Sequence, residues 1–255
     1  MQTKQQKEEE ENLIFGLRPI IEAINAGKQI DKIYIQSGLQ GLLFNELMSL
    51  LKAHHLPFQY VPVEKLNHIT KNNHQGVAGY ISAISYKKIK SILPMVMNSG
   101  KTPLLLILDR ITDVRNFGAI ARTAECAGVN AIIIASTGNA QINADAIKTS
   151  AGALYNIPVC REENLKQVID YLKESGLQIV ACTEKADNSY YQIDFTEPTA
   201  IIMGSEENGI SNEFLQKSDT KAKIPMIGKI SSLNVSVATG IILYEAVSQR
   251  LINQS

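Results

Sequence analysis

Apolar residues along this chain recur in two periods, and the change from one to the other marks its elements. Residues 104–108 (LLLIL) form an unbroken apolar run, the pattern of a strand covered on both faces as parallel strands are. Residues 109–116 are then mostly polar and predict the loop at the C-terminal edge of that strand. In the helix predicted to follow, Ile120, Ala124 and Ala127 fall at i, i+4 and i+7, with Gly118, Arg122 and Glu125 on another face. Gly128 is expected to stop it as a C′ residue, and 129–135 predict the next strand. A strand ending at Met203, a Gly204 to Gly209 loop and a short helix capped by Ser211 are predicted further on, followed by a Gly-containing loop and a helix with two apolar stripes. Val235, Ala238, Ile242 and Ala246 make one stripe; Val237, Ile241 and Tyr244 make the other. One side can meet a sheet, and the other needs separate cover.

The N-terminal third alternates in the same way. It predicts a helix over 17–26, a strand over 32–36, a helix over 42–54, and strands over 58–61 and 77–82. Residues 1–11 are polar and Glu-rich and are expected to be a disordered tail. The expected division is therefore a tail (1–11), a small α/β domain (12–85), a linker (86–103) where the periodic pattern breaks, and a larger α/β domain (104–255).

Composition narrows the functional classes. With 255 residues and 45% apolar content the chain can build two cores, and 25 basic residues against 25 acidic leave no formal net charge. A nucleic-acid partner would thus have to be met by local basic patches. The three cysteines are scattered in apolar segments, as in a reducing cytosol, and no signal peptide or transmembrane run is read, so a cytoplasmic protein is expected. No His/Cys cluster has metal-ligand spacing. The Gly-x-Gly-x-x-Gly and Walker fingerprints are missing, which counts against a nucleotide-dependent oxidoreductase.

The edge after residue 108 is where an α/β sheet holds a ligand. On spacing alone, Asn116 reads as a helix cap or a site residue, and Arg122 as a surface partner of Glu125 or a site residue. Three stretches taken in order weigh on that choice: NFGAIARTA (116–124), IMGSEENGI (202–210) and IPMIGKISSLNVSVA (224–238). The set resembles the three motifs of the SpoU (TrmH-type) RNA ribose 2′-O-methyltransferases over about 104–250. The likeness extends to IFGLRPIIEAINAGKQIDKIYI (14–35) and KNNHQGVAGYIS (71–82), similar to the L30e-like RNA-binding domain of the ribosomal-RNA guanosine members.

The resemblance implies a SPOUT-type α/β trefoil-knot catalytic domain behind a small L30e-like domain. It implies S-adenosyl-L-methionine as cofactor, held near Thr183, Met203, Gly204, Ile224, Ser232 and Leu233. It further implies methylation of a guanosine ribose in the peptidyl-transferase loop of large-subunit ribosomal RNA, by a homodimer joined through its C-terminal helix, with no membrane and no metal. Asn116, Arg122, Glu206, Ser232 and Asn234 are the implied catalytic residues, and Arg115, Arg18, Lys71, His74 and Gln75 the candidates for RNA contact. His74 also reads as a histidine of a turn. Arg122 cannot be a literal base, because a guanidinium keeps its proton; its expected role is to hold phosphate and steady developing oxyanion charge, with Glu206 orienting it. Val114 stands where the family commonly has Pro, and Glu207, where it has Gly, adds a carboxylate beside a site meant for RNA. A transfer-RNA enzyme, or one conferring antibiotic resistance, would share the motifs, as would a non-catalytic RNA-binding relative. The latter would show damage at Asn116, Arg122, Glu206 or Asn234, and all four are present.

Overall fold

The computed structural model describes residues 12–253, so the tail expected over 1–11 lies outside the described residues. The described residues divide into two compact units, one of residues 12–85 with 141–144 and one of 86–140 with 145–253.

The first unit is a four-stranded sheet. β1 (Leu13–Phe15), β2 (Ile30–Gln36), β3 (Phe58–Val61) and β4 (Val77–Ile81) lie in the order β1-β4-β2-β3. β4 runs antiparallel to both its neighbours, and β2 and β3 are parallel. α1 (Leu17–Asn25) buries Ile20, Ile21 and Ile24, and α2 (Leu42–Ala53) buries Leu47 and Leu51. These join Ile30, Ile33 and Ile35 in one core. On the other face, α3 (Val63–Ile69) sets Leu66 against Val61 and Ala78. β1 and α3 were not predicted, being too short for a period to register.

The second unit opens with α4 (Ile89–Asn98), in the stretch read above as a linker. That expectation is corrected: Ile89 and Leu93, four residues apart and so on one helix face, are both buried in the unit's core. Then come β5 (Leu104–Asp109), α5 (Val114–Cys126), β6 (Ala131–Ala135), α6 (Ala144–Thr149), β7 (Val159–Glu162), α7 (Leu165–Glu174), β8 (Gln178–Cys182), β9 (Asn188–Ser189), β10 (Thr199–Gly204), α8 (Asn212–Lys217), β11 (Thr220–Lys223) and α9 (Val235–Ile252). Among the described residues the strands form one sheet in the order β7-β6-β5-β10-β8-β11-β9, parallel throughout. Every residue of β5 is buried, as the unbroken apolar run requires.

The last helix fastens the unit. Arg250 donates from Nε to the carbonyl of Phe195, from Nη1 to that of Thr102, and from Nη2 to those of Pro103 and Glu197, at 2.8–3.0 Å. Burial lowers the pKa of this guanidinium, an effect its carbonyl partners oppose by stabilising the charge. By length and composition, Val235–Ile252 is apolar enough to cross a membrane, which differs from the expectation of no such run. Within this protein it buries Val235, Thr239, Ile242, Leu243 and Ala246. Its second stripe is open, with Val237 and Tyr244 each 51% exposed.

Candidate active site

The site grows from the C-terminal edges of β5 and β10, which pair in register so that Asp109 lies beside Gly204. α5 begins just beyond. Its N-cap is Asp113, whose Oδ1 accepts from the Asn116 N–H at 2.7 Å, so Asn116 is not the cap and its side chain is free for other work. Gly118 lets α5 close on α6: a Cβ there would lie 2.9 Å from the Ala146 carbonyl oxygen and 2.7 Å from Thr149 Cβ.

The loop after β10 folds back on itself. The Gly209 N–H donates to the Ser205 carbonyl at 2.8 Å, and a Cβ on Gly204 would sit 2.2 Å from the Gly209 carbonyl carbon. Only a residue with no side chain fits there, because the loop's own backbone at Gly209 and Ile210 occupies the space. Ser211 does not cap α8 with its side chain as expected; its N–H and Oγ both donate to Asp109 Oδ2, at 2.7 and 2.6 Å.

A third segment completes the group. Asn234 is the N-cap of α9, its Oδ1 accepting from the Ser236 N–H at 3.0 Å. Its Nδ2 donates to Asn116 Oδ1 at 3.0 Å and to Glu206 Oε1 at 2.6 Å. Glu206 Oε1 also accepts from the Val235 N–H at 3.1 Å, a carboxylate at a helix N-terminus where the dipole favours it. The carboxylate expected to orient Arg122 is thus engaged with Asn234 and Val235 instead. Arg122 is exposed, does not line the cleft described next, and has no hydrogen-bond or ion-pair partner among the described residues.

Beside this group lies a cleft of about 410 Å³, within the usual range for small-molecule sites. Met203, Gly204 and Glu206 contribute from β10 and its loop, Ile224, Ser232 and Leu233 from the segment before α9, and Thr183 from the end of β8. Glu207 lines it as well and is exposed. Cys182 forms part of the wall, its thiol pushed up to about 12 by burial and hence uncharged. Arg115 is exposed on the first turn of α5, outside the lining. Among the described residues no group of three or more His, Cys, Asp or Glu is placed to hold a metal ion.

In the first unit, Gln75 Oε1 accepts from the N–H of Leu17, the residue before Arg18 at the start of α1. Arg18 and Lys71 are exposed. His74 is occupied by its turn: Nδ1 accepts from the Gly76 N–H and Nε2 sits 3.0 Å from Asn67 Oδ1, so Nε2 carries the proton.

Sequence reasoning placed Asp109 and Arg110 in the ligand-serving loop and gave neither a role. The only available signal was an acidic and a basic residue closing an apolar strand.

Comparison with known proteins agrees with this geometry. Residues 103–244 match the SpoU rRNA methylase family, and residues 13–87 match the RNA 2′-O ribose methyltransferase substrate-binding domain. A Staphylococcus saprophyticus protein named as a TrmH family tRNA/rRNA methyltransferase is 35% identical over 241 residues, 94% of this chain and 97% of its own length. The crystal structure of the SpoU methyltransferase AviRb from Streptomyces viridochromogenes, in complex with AdoMet, superimposes with a TM-score of 0.60 at 26% identity, covering 94% of this chain and 90% of that one. An AdoMet-bound rRNA methyltransferase from Sinorhizobium meliloti gives 0.59 at 26%, over 95% and 90%. The knot that the resemblance implies would return the C-terminal segment beside the loop after β10, where Asn234 meets Glu206. By these matches and by the hydrogen bonds that join its three motifs beside the cleft, the chain belongs to the SpoU rRNA methylase family.

Proposed function

We propose that this protein transfers a methyl group to the 2′-hydroxyl of a guanosine ribose in the peptidyl-transferase loop of large-subunit ribosomal RNA. It is an RNA methyltransferase of the SpoU/TrmH family, and S-adenosyl-L-methionine is its cofactor. The observation that carries the reading is the bond from Asn234 to both Asn116 and Glu206, which ties the three motifs together at the rim of the cleft. Methyl transfer needs alignment above all, and these bonds fix the loops that would align the reactants.

The cleft suits the cofactor. Gly204 lets the loop of Gly209 pack directly on its backbone, which shapes one side of the cleft, and Met203, Ile224 and Leu233 offer apolar walls to a nucleoside. Bound there, the cofactor supplies an electrophilic methyl on sulfonium. Thr183 and Ser232 bring hydroxyls to the same space, and Asn116, Glu206 and Asn234 hold its rim in one arrangement. Arg122, with no partner among the described residues, is free to hold the phosphate beside the target ribose and to steady the oxyanion; the proton leaves through water or that phosphate. Arg115 serves the same RNA face, and Arg18, Lys71 and Gln75 form a second contact in the substrate-binding unit, with His74 shaping the turn between them.

One observation favours ribosomal over transfer RNA, the likeness to the Sinorhizobium rRNA methyltransferase over nearly the whole chain; the match of residues 13–87 supports an RNA substrate of either kind. The Staphylococcus relative, named for both RNAs, keeps transfer RNA as the second reading. We assign a homodimer, supported by the uncovered apolar face of α9, where Val237 and Tyr244 are exposed together with Leu251 and Ile252. Sedimentation as a monomer at micromolar concentration would remove that assignment. The three cysteines make no disulfide, in keeping with action in a reducing cytoplasm.

Labelled S-adenosyl-L-methionine, offered with purified large-subunit RNA and with total transfer RNA, tests the reading when the modified position is mapped by resistance to alkaline cleavage. Label at one guanosine of the large-subunit RNA is expected. Label in transfer RNA alone would move the substrate while keeping the chemistry.

A further inference from the structure

We propose that Asp109 and Arg110 act as a two-residue latch that fixes the Glu206-bearing loop, making them positioning residues for the reaction inferred above, on whose reading this proposal rests. Asp109 ends β5 and is only 4% exposed, yet among the described residues no lysine or arginine other than its neighbour Arg110 is paired with it. Its Oδ2 is taken by the N–H and Oγ of Ser211, and its Oδ1 accepts from Arg110 Nε at 3.1 Å. Arg110 Nη2 bonds Asp109 Oδ2 and continues to the Gly209 carbonyl, each at 3.3 Å. One carboxylate and one guanidinium therefore hold the C-terminal end of the loop at two points, Gly209 and Ser211. The other end is held by β10, which pairs in register with β5. Glu206, which bonds Asn234, lies between the two anchors.

Arg110 holds this position in an unfavourable backbone conformation. Its φ is +59°, in the left-handed region where a side chain is strained and glycine is at ease. Nothing in the turn itself asks for an arginine. A strained residue persists where the surroundings over-determine it, and here the surroundings are Asp109 and Gly209. The guanidinium is the feature that glycine, easier for the backbone, could not supply.

Strain and latch pull in opposite directions on substitution, which makes the proposal testable. Arg110→Gly relieves the backbone and removes the latch, so the variant is expected to melt no lower than the wild type. Its KM for S-adenosyl-L-methionine is expected to rise and its kcat to fall, each by about tenfold, as a misplaced loop would give. Arg110→Lys, which keeps the positive charge beside Asp109 without the guanidinium's forked reach to Gly209, should recover part of the loss. A glutamate-specific protease should cut the full-length variant at Glu206 or Glu207 several times faster, a readout independent of activity. Asp109→Asn should imitate Arg110→Gly, and the double variant should add little to either.

Unchanged kinetics and proteolysis in Arg110→Gly would overturn the latch, as would losses that merely follow a fall in melting temperature. If Asp109→Asn does not fold, the Arg110 variants decide the matter alone. A wild type that methylates no RNA would overturn the functional reading instead, leaving the latch to the proteolysis result.

Discussion

Asn234 and Glu206, 28 residues apart, are joined by a 2.6 Å bond from Nδ2 to Oε1, and the same oxygen accepts the N–H of the next residue, Val235. The side chain that starts the last helix and the carboxylate of the preceding motif thus form one unit. Much of what the site can be asked to do follows from this pairing.

Removal of Glu206 frees two donors, whereas removal of Asn116 frees one. Glu206→Ala is therefore expected to reduce methyl transfer at least as much as Asn116→Ala, by about 100-fold against tenfold, the scale on which small misplacements act. Single-turnover rates of the two variants check the order. A milder effect of Glu206→Ala would return that residue to the role of orienting Arg122.

The two functions of Asn234 can be separated. Asn234→Ser keeps an N-cap oxygen for Ser236 and loses the amide donor, so it should hold stability within a few tenths of a kcal/mol while activity falls; Asn234→Ala should lose both, with about 1 kcal/mol of stability. Chemical denaturation beside a methyl-transfer assay reads the two effects independently.

Gly118 is a packing requirement. Because a Cβ would press on the Ala146 carbonyl and on Thr149, Gly118→Ala should destabilise the second unit by about 1–3 kcal/mol and lower its melting temperature. Cofactor affinity measured well below that temperature should change little, as Gly118 does not line the cleft.

Cys160 and Cys182 are both pushed up to about 12 by burial, from an ordinary value of 9.0. The folded chain keeps these thiols protonated where the unfolded chain ionises them. Their contribution is whole below pH 9 and declines as pH rises toward 12, by up to about 1.4 kcal/mol per pH unit for each thiol. A Cys160→Ala, Cys182→Ala variant should show a shallower loss of stability above pH 9 in urea titrations. Cys126, which is exposed, should be the first thiol to react with an alkylating reagent at pH 8.

The elements with a long period were legible in the sequence. β5 was plain in its apolar run and α5 in the stripe of Ile120 and Ala124, both buried. α4 was missed because Pro94 lies inside it and lysines lead into it, although Ile89 and Leu93 carry a helical spacing. At the site, the motifs brought Asn116, Glu206 and Asn234 to notice, but which atoms met was hidden: Asp113 rather than Asn116 caps α5, and Glu206 meets Val235 rather than Arg122. The part played by Arg110 was hidden for a different reason. Its importance depends on a left-handed turn, and no pattern of apolar spacing reports the φ of an arginine.

The bonds of Asn234 and Arg250 bear on how the protein is made. A ribosome releases the chain from its N-terminus, and units fold in that order. The first unit has all its strands by residue 81, but the second receives its site only when Asn234 reaches Asn116, 118 residues upstream. Its core is fastened later still, when Arg250 finds the carbonyls of Thr102 and Pro103. A nascent chain still tethered near its end would hold a finished RNA-binding unit ahead of an enzyme that does not yet exist, and loss of only the last helix would leave it in that state.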